Sequence, residues 1–146
     1  MRLAIAFAWM AAFASLPVSA ADPINTTLFG NLAIDGYDPV AYFDSNRAVE
    51  GDSDFEFSWQ DAKWRFSSAA NRDKFKADPS RYSPQYGGYC AYAVSQNSTA
   101  SIDPEQFTVL DGKLYLNYSA KVQKKWLENR DAYIVLADKN WPGVIE

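Results

Sequence analysis

The chain has 146 residues, with 18 acidic and 14 basic side chains and a net charge of −4. Acids and bases are interspersed, which argues against the basic face that nucleic-acid binders use to neutralise phosphates. There is no histidine, which excludes Ser-His-Asp and Cys-His nucleophilic chemistry as usually built, helical His zinc sites and His-ligated haem.

The chain opens with Arg2, an apolar stretch from Leu3 to Leu16, and the small residues Val18-Ser19-Ala20. This pattern predicts a secretory signal over residues 1–20, cut between Ala20 and Ala21. The apolar run is shorter than the roughly 20 residues a membrane span needs. No cysteine follows the cut and no other stretch is long and apolar enough to span. The expected product is one soluble domain, residues 21–146, periplasmic or secreted, with no stable membrane insertion. Five Trp, nine Tyr and nine Phe give a domain of this size enough apolar area for one core.

In chain order, Gly36-Tyr37-Asp38-Pro39 reads as a turn before the apolar Val40-Ala41-Tyr42-Phe43, and residues 44–54 read as a loop. Phe55, Phe57 and Trp59 alternate with polar residues, and so do Trp64 and Phe66 around Arg65. That period of two predicts a hairpin with one aromatic face. Arg65, on the opposite face, is expected toward solvent or a pocket mouth. Ser67 or Ser68 caps a helix from Ala69 to Ala77, stopped by Pro79. The segment Pro84-Gln85-Tyr86-Gly87-Gly88-Tyr89-Cys90-Ala91-Tyr92 surrounds two adjacent glycines and the one cysteine with three tyrosines. Asp111-Gly112 between apolar runs predicts a second hairpin. Ser119 caps a helix bearing Val122 and Trp126 on one face, and a last helical turn spans Ala132 to Asp138. No internal repeat and no low-complexity segment is legible. The sum is an α+β fold: two antiparallel β-hairpins and two or three helices around an aromatic core.

Cys90 is the leading candidate site residue, with Tyr86, Tyr89 and Tyr92 around it. A lone cysteine in an exported chain is buried and inert, reactive, or paired between chains. Tyr37 and Asp38, with Asp35, form an acidic aromatic turn that either binds a cation or polar ligand or holds its own backbone. Asn25, Asn97 and Asn117 fit the glycan acceptor pattern, which beside a bacterial-type signal reads as coincidence. A thiol-dependent redox role for Cys90 needs a lowered pKa, and no Cys-x-x-Cys is present to resolve an intermediate.

Three motifs carry a family resemblance. Asp38-Pro39-Val40, the segment from Trp64 to Phe75, and Asp78-Pro79-Ser80-Arg81-Tyr82 resemble, in order and spacing, the YHS domain, a relative of the heavy-metal-associated TRASH-type modules. The likeness covers residues 38–82 as the family core. It extends to exported bacterial YHS-type proteins through Tyr86 to Ala93 and Asp111 to Tyr118. The resemblance implies a YHS/TRASH-like fold and a metal-handling ancestry. The family's cysteine positions are occupied here by Ala41, Ser67 and Asn71, which are poor soft-metal ligands. It therefore implies a non-catalytic exported binding module taking a small ligand, a metal ion or a periplasmic protein. Copper(I) or zinc is expected only at a changed site. A structural or protein-interaction domain is the competing reading.

Overall fold

The computed structural model describes residues 21–146; the signal-peptide expectation for residues 1–20 lies outside them. No helix among the described residues is long and apolar enough to cross a membrane.

The chain begins with a strand-like turn in which Thr27 and Leu32 approach each other, followed by a 3-10 turn at Ile34–Gly36. Helix α1 (Pro39–Asp44) starts at once, because Pro39 fits the first helical position and the Asp38 side chain accepts from the free N–H groups of Val40 and Ala41. Strands β1 (Asp52–Trp59) and β2 (Ala62–Phe66) form the first antiparallel hairpin. In β2, Ala62, Trp64 and Phe66 are buried while Lys63 and Arg65 are half-exposed. Arg65 pairs with Glu56 across the hairpin at 2.9 Å. Helix α2 (Ala69–Ala77) is capped by Ser68 and lays Phe75 against the aromatic face. The Phe75 ring meets Trp59, Trp64 and Phe66 at 5.7, 4.9 and 5.2 Å. Removing such a buried ring costs about 3–5 kcal/mol. Pro79 opens the short helix α3 (Pro79–Tyr82).

The order then recurs. A 3-10 turn at Gln85–Gly88 leads into α4 (Ala91–Ser95), the hairpin of β3 (Asp103–Leu110) and β4 (Lys113–Asn117), then α5 (Ala120–Glu128) capped by Ser119. Strands β3 and β4 and helix α5 match β1, β2 and α2 in length, each shifted by 51 residues. The same irregularity interrupts both hairpins, between Asp52 and Glu56 and between Asp103 and Phe107. Parallel bridges also recur, Leu32 to Lys63 and Pro84 to Leu114. The described residues thus use one arrangement of elements twice, which corrects the expectation that the chain holds no internal repeat. Helix α6 (Arg130–Asn140) completes the second unit. Its Asn140 donates to the carbonyls of Val94 and Ser95 at 2.8 and 3.3 Å, tying α6 to the end of α4.

Strand β4 lies between two cores. Leu114 and Leu116 join the large aromatic cluster, whereas Tyr115 on the other face packs with Tyr86, Val94, Trp126 and Ala137. The α+β class and both hairpins are as expected. The helix number is corrected: there are six α-helices among the described residues, because α1, α3 and α4 are too short to leave a 3.6-residue pattern in the sequence.

Candidate functional site

Asp38 is fully buried. One carboxylate oxygen accepts from the backbone N–H groups of Val40 and Ala41 at 2.9 and 3.4 Å. The other accepts from the Ser67 backbone N–H at 2.9 Å, the Ser67 hydroxyl at 2.7 Å and the Asn71 side-chain amide at 2.8 Å. Helix α1, the end of β2 and the first turn of α2 therefore meet at one carboxylate. Ala41, Ser67 and Asn71, 26 and 4 residues apart along the chain, are brought together there. Every contact to the carboxylate is a hydrogen-bond donor, an arrangement suited to an anion. Tyr37 and Asp35 do not join it. Asp35 has an exposed face, while partial desolvation of its carboxyl by the surrounding turn and then the Asp103 charge raise its pKa. Burial, then the charges of Glu50, Glu105, Asp103 and Asp35, raise that of Tyr37.

Cys90 occupies the matching place in the second unit. The Asp38 N–H donates to the Val49 carbonyl at 2.8 Å, and the Cys90 N–H donates to the Ala100 carbonyl at 3.0 Å. A thiol is a weak acceptor and does not cap α4. Asn117, buried at the end of β4, does so instead: its carbonyl oxygen accepts from the Tyr92 N–H at 3.1 Å and from the Cys90 thiol at 3.5 Å. The Asn117 amide donates to Gln123 at 2.7 Å, and Gln123 donates to the Phe107 carbonyl and the Thr108 hydroxyl, both at 3.0 Å. Asn117 is thus committed inside the fold, which removes it as a glycan acceptor.

The tyrosines around Cys90 in sequence go to different places. Tyr86 enters the second core and donates to Asp138 at 2.8 Å. Burial, then this bond and the Asp138 charge, push its phenol well above the ordinary range. Tyr89 donates to the Asp22 carbonyl at 2.8 Å. Tyr92 packs edge-on against Tyr133 at 5.3 Å and carries the Lys125 ammonium 5.2 Å from its ring centre. Cys90 itself is 1% exposed. Gly87 and Gly88, both with positive φ, make the turn that divides these side chains.

A groove of about 700 Å³ lies along α5, lined by Tyr92, Tyr118, Val122, Lys121, Lys124 and Lys125 among others. Of these, only Tyr92 is a candidate site residue in the sequence, and Val122 reads there as a core-facing helix position. The lysines read as an ordinary solvated helix face, and the partner helix α4 left no periodic signal. Among the described residues, no group of three or more His, Cys, Asp and Glu side chains is placed to hold a metal ion.

No family model, curated protein or solved structure matches this chain.

Proposed function

We propose that the protein is a non-catalytic exported binding module of the YHS type, in which the position of the family's metal is taken by the Asp38 carboxylate. One observation carries this reading. Ala41, Ser67 and Asn71, where the resemblance puts metal ligands, all donate hydrogen bonds to Asp38. The carboxylate already accepts five hydrogen bonds, and the backbone N–H, hydroxyl and amide around it stand in place of the thiolates a soft metal needs. The scaffold keeps its shape through the aromatic core and has its surface free for recognition. The low exposure of Cys90 weighs against the redox reading, since thiol exchange needs access to the sulfur.

The test is an equilibrium titration with copper(I) and zinc against a chromophoric competitor, for the parent and for Cys90→Ser. The reading expects no competition from either protein. Stoichiometric metal uptake by the parent overturns it.

A protein-interaction role is the second reading. Leu28 and Phe29, 90% and 83% exposed at the tip of the first turn, favour it, because adjacent large apolar side chains at such exposure suit a contact surface.

A further inference from the structure

We propose that the groove between α4 and α5 binds a small organic anion with an aromatic body, such as an aryl carboxylate or sulfonate. This rests on the binding-module reading above and gives it a site and a ligand class. The argument comes from comparing the two units. In the first, the space between α1 and α2 is closed by polar pairs. Ser67 and Asn71 reach Asp38, and the Lys74 ammonium meets the Asp44 carboxylate at 2.6 Å. At the matching positions, offset by 51 residues in α5 and by 52 in α4, the second unit has Tyr118, Val122, Lys125 and Gln96. None of the closing pairs survives. The carboxylate opposite Lys74 has become the uncharged Gln96, whose amide donates to the neighbouring Ser95 hydroxyl at 3.2 Å.

The outcome is a groove instead of a closed seam. Tyr92, Tyr118 and Val122 give it an apolar floor, and Tyr118 is 55% exposed there. Lys121, Lys124 and Lys125 stand around it, against the single acid Glu128. Among the described residues none of these three lysines has an ion-pair partner within 4.0 Å. Three cations without an ion-pair partner, Lys125 among them lying over the Tyr92 ring, on a chain of net charge −4, form a local field opposite to that of the whole molecule. An aromatic anion matches both features, with its ring against the exposed Tyr118 and its charge among the ammonium groups. The volume is within the range of small-molecule pockets, about 300–1,000 Å³.

The experiment titrates the protein with 8-anilinonaphthalene-1-sulfonate and, separately, with the neutral N-phenyl-1-naphthylamine, reading fluorescence and backbone amide shifts. The expected result is one saturable site for the sulfonate, with shifts confined to residues of α4 and α5. Its affinity falls about tenfold or more in Tyr118→Ala and in Lys121→Gln/Lys125→Gln, and falls with added salt. These exposed positions leave the fold intact, which circular dichroism checks. Lys76→Gln, elsewhere on the surface, binds as the parent does. Non-saturable binding, equal affinity in the groove variants, or equal affinity for the neutral probe overturns the proposal. The metal titration separates the two ideas: metal uptake defeats the binding-module reading whatever the groove does. An empty groove on a metal-inert protein defeats only the groove.

Discussion

Asn71 donates its side-chain amide to the Asp38 carboxylate at 2.8 Å, joining residues 33 apart in sequence. The contact ties the first turn of α2 to the start of α1. With the two bonds from Ser67 it fixes where the hairpin ends relative to both helices. A buried carboxylate with this many donors is a structural element whose loss is felt at several points. Asp38→Ala strips five bonds at once and leaves donors facing a void. The expected loss is about 3 kcal/mol in urea unfolding, and about 1 kcal/mol for Ser67→Ala, where the backbone bond survives. An Asp38→Ala variant as stable as the parent contradicts the clamp.

Cys90 is shielded by its own helix and by Asn117. Its alkylation therefore requires the fold to open. The expected rate with a thiol reagent is at least about a hundredfold lower in the native protein than in denaturant, reflecting local stability. Native and denatured rates that agree contradict the buried placement.

Tyr42 and Tyr86 set a pH dependence. Tyr42 is fully buried and donates to the Pro104 carbonyl at 2.8 Å. Burial, then the nearby Tyr37 and acidic groups, push its phenol far above its ordinary value of 10.0. Tyr86 is raised by burial and by Asp138. Folded-state values above the unfolded one mean that the native form holds protons the unfolded chain has released. The resulting stability is complete below about pH 10 and is lost as pH rises above it, by about 1.4 kcal/mol per pH unit for each tyrosine still protonated. Urea unfolding on either side of pH 10 measures this. Tyr86→Phe gives a shallower decline. An unchanged slope in that variant contradicts the account.

Much of the fold was legible because its signals are local. The alternation of Phe55, Phe57 and Trp59, the Asp111-Gly112 turn, and the caps at Ser68 and Ser119 all fall where the structure has them. The repeat was not legible, since its two copies solve the same geometry with different chemistry. Strand β2 alternates buried and half-exposed residues, while Leu114 to Asn117 in β4 are all buried, because β4 has a core on each face. Asp38 caps α1 with its own side chain, whereas Cys90 borrows that function from Asn117. The same reason hid the groove. Tyr92 and Tyr118 lie 26 residues apart and meet only because α4 packs beside α5. Tyr86 and Tyr89, close in sequence to Cys90, were separated by a left-handed turn that composition alone does not orient.

Asp38 accepts from Ser67 and Asn71 at 2.7 and 2.8 Å, and in the proposed function these bonds stand in for a metal site. The most direct measurement is a zinc titration of the parent beside Ser67→Cys/Asn71→Cys, against a chromophoric competitor. The account predicts no competition by the parent and one equivalent of zinc bound by the double variant, because two thiolates and the retained carboxylate supply soft and hard ligands at one point. Zinc bound by the parent and released by Asp38→Asn contradicts it, since the carboxylate would then be a ligand and not the anion its neighbours hold.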